Sequence, residues 1–370
     1  MNRMKHPGSR ASGIPGNRLF KNWAAVPSMG IGLVIALSFS SVVLLLMGSS
    51  PLPVYWHLLK GSLGSWQKLI QVINSWVPLT LCATGLLYTF RIDMWNIGIE
   101  GQIMIGAIFS TWVLRGQWSN HTPSGQLFLS LLAAMAGGGF WALITGFLKT
   151  RGGVNEIFAG LGMNFIAQGL VIWLIFGPWK RAGMASMSGT EILPPHLWLP
   201  TMTPYRFSPI GVGLAVACFI FSAVLLHKTH AGLAIKAVGK NLRAANTLGI
   251  PTERYLLLAM LLAGCCGGIA GNFLITGVYH RLLPAVSCNY GYLSLLVVML
   301  SDYRILPTIL IAFFFASINV GSIQLPILFH MDSAFSGVLQ GLIVISALCL
   351  NGWRSKPDTY KEKGRLHDSS

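Results

Sequence analysis

The chain has 370 residues, of which 53% are apolar and only 10% charged, and its formal net charge is +16 at pH 7. An average soluble domain carries roughly 25% charged residues, so this composition excludes a water-soluble fold. A basic chain can bind nucleic acid, because basic patches neutralise phosphates. Here the Lys and Arg residues lie in short connections between apolar blocks, which is typical of the cytoplasmic face of a membrane protein. We therefore expect no nucleic-acid partner.

Ten apolar blocks approach the ~20 residues that a helix needs to cross the hydrocarbon core. They cover about residues 29–47, 72–90, 96–114, 126–148, 156–177, 208–226, 255–277, 289–301, 305–324 and 334–350. The sequence predicts an all-α polytopic membrane protein with about ten transmembrane helices, some of them broken or re-entrant. The eighth block has 13 residues, NYGYLSLLVVMLS, and fits a re-entrant or tilted helix as well as a crossing.

Orientation follows from the distribution of charge. A cytoplasmic N-terminus places 19 of the 26 Lys and Arg residues inside and 7 outside, so the positive-inside rule favours two cytoplasmic termini. The predicted organisation is a cytoplasmic tail at 1–28, a membrane domain at 29–350 and a second cytoplasmic tail at 351–370. A cleaved signal peptide is the alternative for the first block, but its apolar run is longer than such peptides use.

The connections and cysteines give further expectations. Residues 48–71, with Trp56 and Trp66, fit an interfacial amphipathic segment, because aromatic residues favour the headgroup level. The connection at 178–207 is rich in proline and reads as an external loop without regular helix. The six cysteines lie in or beside apolar blocks with no metal-ligand spacing, so we expect neither a metal site nor a disulfide framework.

The segment RIDMWNIGIEGQIMIGA, residues 91–107, contains the most informative polar residues. Asn96, Glu100 and Gln102 lie at the start of an apolar block, where an ionisable group is costly unless it faces protein or water. Glycines beside them permit a break in the helix, which is one way that transporters form a polar site. The alternative is that Glu100 binds a neighbouring backbone group or Arg91 and holds the helices together.

A second polar segment is GGVNEIFAGLGMNFIAQG, residues 152–169. Asn164 and Gln168 are one helical turn apart and therefore share a face, which predicts a helix that lines a cavity or a helix interface. Asn155 and Glu156 begin the block. For these two we favour a capping role over contact with a solute, because Asn is a good N-cap and Glu suits a helix start.

The longest basic connection, residues 227–254, is predicted to be cytoplasmic and to contain one helix from Leu233 to Leu248. Gly232 precedes this helix, and Gly249 followed by Pro251 would end it. Lys236, Lys240 and Arg243 recur at helical spacing beside small residues. A small-residue face favours docking in another protein's cleft, whereas the charge alone also fits a helix that lies on anionic lipid.

Four segments, in this order, resemble the ribose-permease-like branch of ATP-binding-cassette (ABC) importer permeases: MWNIGIEGQIMIGA, GVNEIFAGLGMNFIA, THAGLAIKAVGKNLRAANTLGIP and GVYHRLLPAVSCNYGYLSLLVVML. Within that branch they are most similar to permeases of nucleoside importers. The resemblance covers about residues 30–350. The chain departs from the family pattern after the eighth block, where Asp302 and Arg304 add charge.

The resemblance implies a prokaryotic cytoplasmic-membrane permease that conducts a nucleoside or simple sugar. Its partners would be a separate ATP-binding subunit, a second permease subunit (a copy or a paralogue), an extracytoplasmic substrate-binding protein and membrane lipid. The translocation path is expected to involve Asn96, Glu100, Gln102, Asn155, Asn164, Gln168, Tyr279 and Tyr290. The coupling helix that docks on the ATPase is expected to involve Gly232, Lys236, Gly239, Arg243, Ala244, Ala245 and Gly249.

No GxxxxGK[ST] phosphate loop occurs, so we expect no bound cofactor, and ATP would be used by the partner subunit. One alternative is an ion-gradient-driven secondary transporter or channel. Such proteins place acidic residues within the membrane, and Glu100 is the one candidate here. Another alternative is a membrane-embedded transferase, which should cluster acids or histidines near one interface. The sequence leaves the solute, nucleoside or sugar, open.

Overall fold

The computed structural model describes residues 25–46, 48–116, 122–181, 189–202, 207–323, 325–329, 337–338, 340–342 and 344–346. Within these residues the fold is helical and has no strands, apart from an isolated bridge between Met202 and Phe207. The chain divides into two units, residues 49–340 and the segments 1–48 and 341–370. The predicted all-α fold is confirmed.

The smaller unit contains helix α1 (Ala25–Leu46), which is apolar along most of its length. The larger unit contains α2 (Pro51–Leu63), α3 (Trp66–Arg91), α4 (Ile99–Arg115), α5 (Pro123–Thr150), α6 (Glu156–Phe176), α7 (Pro209–Lys228), α8 (His230–Lys240), α9 (Leu242–Thr247), α10 (Thr252–Phe273), α11 (Tyr290–Leu300), α12 (Ile305–Ser322) and α13 (Leu325–Phe329). Helix α10 continues as a π-helical segment, Leu274–Tyr279.

Among the described residues, six helices are long and apolar enough to cross a membrane: α3, α5, α6, α7, α10 with its π-helical segment, and α12. Helices α4 and α11 are shorter, with 17 and 11 residues. The tenth predicted block, 334–350, is described only in part, and its described residues are helical. The total of ten spans and the cytoplasmic termini stay predictions.

Helix α10 lies at the centre of the larger unit, where it packs against α3, α4 and α5. Small residues make this possible, because in a membrane helices gain stability from close backbone contact rather than from burial of apolar surface. At the crossing of α5 and α10 a Cβ on Gly138 would overlap the carbonyl oxygen of Gly264, and the reverse is also true. The two backbones are therefore in direct contact.

Two interruptions of the helical path position the polar residues. We call residues 92–98, between α3 and α4, the first break, and residues 280–289, between the π-helical segment and α11, the second break. The third predicted block starts at 96, whereas α4 starts only at Ile99 because the first break intervenes. Left-handed backbone occurs at Asp93 in the first break and at His280, Cys288 and Asn289 in the second.

The structure describes all of the connection that we predicted at the interface, 48–71, and part of the one that we predicted as an external loop, 178–207. Helix α2 has a buried face with Val54 and Leu58, and its exposed face is also largely apolar, since Leu52 and Trp56 are 81% and 64% exposed. Its position at the membrane interface stays a prediction. In the 178–207 connection the described residues contain only a short 3-10 turn, Pro195–Leu197, and the Met202–Phe207 bridge, as expected for a proline-rich loop.

Candidate polar cavity at the junction of two broken helices

Glu100 joins the two breaks. Its side chain is in the first turn of α4 and is only 2% exposed. One carboxylate oxygen accepts a hydrogen bond of 2.8 Å from the backbone N–H of Gly291, and the carboxylate also interacts with the N–H groups of Asn289 and Tyr292. The first N–H groups of a helix have no acceptor within that helix, and the helix dipole favours an anion there. Glu100 therefore caps α11 from a different helix.

The side-chain amide of Asn164, on α6, forms hydrogen bonds with groups beside both breaks. Its oxygen accepts a hydrogen bond from the backbone N–H of Gly101 (2.8 Å), which is an otherwise unpaired donor in the first turn of α4. Its nitrogen donates to the carbonyl oxygen of Ile97 (3.0 Å) and to the hydroxyl of Tyr292 (3.2 Å). The amide thus links α6 to the first break and to the start of α11.

Asn96 and Gln102 bind each other. Each amide nitrogen donates to the oxygen of the other, at 3.2 Å and 3.0 Å, and both side chains are buried. This reciprocal pair closes the first break, because Asn96 lies within it and Gln102 lies one turn inside α4. Neither residue lines the neighbouring cavity, so the structure places both as supports of the first break.

A cavity of about 210 Å³ lies beside this network. Its lining combines hydrogen-bonding and apolar groups: Glu100, Met104, Asn164, Phe165, Gln168, Ala285, Ser287, Cys288, Asn289 and Tyr292. Gln168 also donates a hydrogen bond of 2.8 Å to the carbonyl oxygen of Pro284 in the second break. The one carboxylate is engaged by backbone N–H groups, and the remaining groups are neutral. Such a lining suits a small, uncharged polar molecule.

Besides Asn96 and Gln102, three further predicted path residues lie outside this lining. Asn155 is exposed and caps α6, with its side-chain oxygen accepting from the N–H of Ile157 at 2.9 Å. The hydroxyl of Tyr279 lies 2.9 Å from the sulfur of Cys288, and Tyr290 is buried beside Ser75 of α3. Glu156 pairs with Lys149 at 2.6 Å. The structure thus shows the capping arrangement that we favoured for Asn155 and Glu156.

Sequence reasoning missed several lining residues of the second break and of the start of α11, notably Ser287 and Tyr292. Their signal was present in the short eighth block, which begins with the polar residues NYGY after Ser287 and Cys288. A polar start to a short apolar block indicates a helix that begins inside the protein. Only Tyr290 of this group was selected, and its side chain faces α3 instead.

The predicted coupling helix, Leu233 to Leu248, is wrong in two respects. It consists of two helices, and the first of them starts at His230, so Gly232 lies inside α8 rather than before it. Helix α8 ends at Lys240 and α9 starts at Leu242. Asn241 separates them with an extended backbone (φ −160°, ψ 103°), and its side-chain oxygen accepts from the N–H of Ala244 at 3.0 Å. An Asn cap of this kind starts a new helix. The predicted end is confirmed, since Gly249 has φ +80° and follows the last turn of α9.

The predicted coupling residues divide into buried and exposed positions. A Cβ on Gly239 would overlap the carbonyl oxygen of Arg91, and a Cβ on Gly232 would overlap that of Leu225, so both glycines pack α8 onto neighbouring helices. Ala245 is buried, and Lys236 is half-buried. Arg243, Ala244 and Gly249 are exposed. Among the predicted residues, these three are therefore the ones accessible to a partner.

The charged residues that depart from the family pattern lie at the end of α11. Asp302 and Arg304 are 3.6 Å apart and largely exposed. Between them, the carbonyl oxygen of Tyr303 accepts a hydrogen bond of 3.3 Å from Arg91, and the Tyr303 ring packs at 5.3 Å from that of Phe90. The loop after α11 is thereby attached to the end of α3.

Comparisons with known proteins agree with this architecture. Residues 68–348 match the family described as branched-chain amino acid transport system / permease component. The glucose ABC transporter permease protein TsgB13 of Haloferax volcanii is 29% identical over 336 residues, which cover 87% of each chain. The guanosine ABC transporter permease protein NupP of Bacillus subtilis is 24% identical, over 90% of this chain and 96% of its own.

A third relative is the nucleoside ABC transporter permease protein NupB of Lactococcus lactis. It is 23% identical over 300 residues, which cover 79% of this chain and 82% of its own. Each of these relatives is matched along most of its length, and the family match covers most of this chain as well. The chain therefore belongs to this permease family and is a multi-pass ABC transporter permease subunit of the cytoplasmic membrane.

Proposed function

We propose that the chain forms the translocation path of an importer for a small neutral solute, a nucleoside or a simple sugar, delivered by an extracytoplasmic binding protein. The observation that carries the proposal is the cavity of about 210 Å³ at the junction of the two breaks, with its neutral hydrogen-bonding lining. Relatives named for glucose, guanosine and nucleosides support this class of solute.

Within the path, Glu100, Asn164 and Gln168 shape the cavity, while Asn96 and Gln102 hold the first break in place. Asn155, Tyr279 and Tyr290 act around it, as a helix cap and as supports. A second permease subunit, a copy or a paralogue, completes the path. Helix α6 supports this step, because Phe158 and Phe165 are 72% and 77% exposed and Phe165 also lines the cavity.

The topology that we propose has ten spans and two cytoplasmic termini. Each of the ten apolar blocks coincides with a helix or with partly described helical residues, and the positive-inside rule supports the orientation. In this arrangement α8 and α9 lie on the cytoplasmic side, where a nucleotide-binding subunit would meet them.

Energy comes from a partner, in our proposal, because the chain has no phosphate loop of its own. The exposed residues Arg243 and Ala244 of α9 contact the ATPase, and Gly232 and Gly239 fix α8 to the permease. A bulky substitution at Gly239 is therefore a poor test of docking, since it would disturb the permease itself. Ala244→Trp is the sharper variant.

Copurification of the ATPase subunit tests this coupling proposal. Ala244→Trp should abolish copurification, whereas Val154→Trp, at an exposed position of another predicted cytoplasmic connection, should leave it intact. Both variants should insert into the membrane like the parent protein. Retention of the ATPase by Ala244→Trp would contradict the assignment of α9.

Uptake by proteoliposomes tests the transport proposal. The permease, its ATPase and its binding protein are reconstituted, and uptake of labelled nucleoside and labelled glucose is measured with and without ATP. Gln168→Leu should slow uptake because it alters the cavity. The control is Gln126→Leu, which also loses amide hydrogen bonds, to the carbonyl oxygens of Val113 and Leu114, but does not line the cavity. Uptake driven by an ion gradient without ATP would instead support a secondary transporter.

A further inference from the structure

A second cavity, of about 620 Å³, opens beside α8 where α3 ends. Its lining is basic and apolar and contains no acidic residue. The lining residues are Arg91, His227, Leu233, Lys236, Ala237, Gly239 and Lys240. We call it the basic cavity. It is separate from the polar cavity at the two breaks, with which it shares no lining residue.

The cations of the basic cavity have no acidic partner in the part of the chain that the structure describes. The ion pairs in the described part of the chain are Lys149–Glu156, Arg151–Glu253 and Arg304–Asp302, and they lie outside the lining of the basic cavity. Arg91 donates one hydrogen bond, to the neutral carbonyl oxygen of Tyr303. Burial lowers the pKa of Lys236, and the nearby charge of Arg91 lowers it further. Like charges are therefore held together without compensation, which an anion in the cavity would provide.

The position of the basic cavity indicates the source of that anion. Arg91 is the last residue of α3 and His227 lies in the last turn of α7, and both helices are candidate membrane spans. The cavity thus lies at the ends of two spans, where phospholipid headgroups meet water. Leu233, which is 67% exposed, and Ala237 give it an apolar side. A phosphate next to acyl chains matches this combination better than a free ion does.

We propose that the basic cavity binds the phosphate group of an anionic phospholipid in the cytoplasmic leaflet, with Arg91, Lys236 and Lys240 as its cationic contacts. Basic pockets between membrane helices on the cytoplasmic side recognise such headgroups, and hydrogen bonds between a cation and a phosphate are among the stronger ones in proteins. Bound there, the lipid contacts α8 and the end of α3 together. This site is independent of the solute and would exist whichever solute is carried.

Native mass spectrometry of the purified full-length chain tests this site. The protein is titrated with phosphatidylglycerol, with phosphatidylcholine and with inorganic phosphate. We expect retention of phosphatidylglycerol in preference to phosphatidylcholine. The variant Lys236→Gln/Lys240→Gln should bind phosphatidylglycerol roughly 25-fold more weakly, since each lysine near a membrane surface contributes about fivefold. The control Arg243→Gln removes an exposed cation of α9 that does not line the cavity, and it should bind normally.

Several outcomes would overturn the proposal. Equal affinity of parent and double variant, or an equal loss in Arg243→Gln, would show that the lipid is held elsewhere. Displacement of the lipid by inorganic phosphate at similar concentration would assign the site to free phosphate. Unchanged lipid binding by a double variant that no longer copurifies with the ATPase subunit would assign the cations to a protein contact. If the double variant does not fold, Lys240→Gln alone, at an exposed position, should still weaken binding about fivefold.

Discussion

Each break is followed by a helix whose first N–H groups have no acceptor within that helix, but the two breaks are stabilised in different ways. The first break is closed largely by groups close in sequence, since the Asn96 and Gln102 amides bind each other and Asn164 supplies the remaining contacts. The second break depends on distant elements. Glu100 of α4 caps α11, the helix that follows this break, and Gln168 of α6 donates a hydrogen bond to the carbonyl oxygen of Pro284 within it.

The described residues of the 178–207 connection add a further support to the second break. The N–H of Leu193 donates to the carbonyl oxygen of His280 at 2.8 Å, and that of Thr190 to Leu282 at 2.9 Å. The Trp198 ring stacks on the imidazole of His280 with centroids 3.9 Å apart. Because these supports come from elements distant in sequence, the contacts of the second break change when those elements move.

Glu100→Ala is expected to cause the largest difference in amide exchange between the two breaks. The substitution leaves the N–H groups at the start of α11 without their acceptor, at a cost of about 3 kcal/mol. Amide hydrogen exchange at residues 289–292 should therefore rise about 100-fold, while exchange at the first break changes little. Glu100→Gln, which keeps an acceptor oxygen, is the matched variant and should lose much less. A similar rise in both breaks would refute the difference between them.

A smaller effect, shared by both breaks, is expected from Asn164→Leu. This change keeps the approximate size of the side chain but removes its bonds to Gly101, Ile97 and Tyr292. A loss of about 2 kcal/mol should raise exchange roughly 30-fold at the start of α4 and also affect the start of α11. The same exchange experiment gives both values, and an effect on α11 alone would contradict the bridging role.

Gln168→Leu should act on the second break only. It removes one hydrogen bond to the Pro284 carbonyl, so about 1 kcal/mol is lost and exchange around residues 284–289 rises about fivefold. The first break provides an internal control in the same sample. Unchanged exchange near Pro284 would show that the other supports of the second break suffice.

The smallest effect is expected from Trp198→Ala, which removes the stack on His280. Aromatic pairs contribute about 1 kcal/mol, and part of that is recovered when water reaches the ring of His280 in the variant. Exchange at residues 280–283 should rise about threefold, with no change near Glu100. Trp173→Ala, at a residue of α6 that is 61% exposed, is the control for loss of a tryptophan.

Periodicity and composition predicted the helical fold and the polar segments well, because both are local properties. Glu100, Asn164 and Gln168 were selected from their own neighbours in sequence, and they line one cavity. Their partners could not be found in this way. Gly291 lies far along the chain from Glu100, and only the packing of α4 against α11 brings them together.

Features that the sequence did not predict have local physical causes as well. Asn241 was read as part of one helix, yet an Asn with extended backbone caps α9 and divides the segment. Asn96 and Gln102 were expected in the translocation path, and the structure shows each amide hydrogen-bonded to the other, a pairing that the sequence did not predict. Gly239 looked like a docking surface, and its lack of a side chain instead serves contact with Arg91. A sequence shows which residues are polar or small, but not which neighbour uses that property.

The contact between Gly239 and Arg91 has a mechanical consequence. No space for even a methyl group separates α8 from the end of α3, so α8 cannot slide toward α3 or tilt into it. Tightly packed elements transmit displacement rather than absorb it. A push on α9 is therefore carried through α8 to Arg91, and the next residues along the chain are those of the first break. An ATPase that moved α9 would therefore displace Arg91, and one short segment separates Arg91 from Glu100.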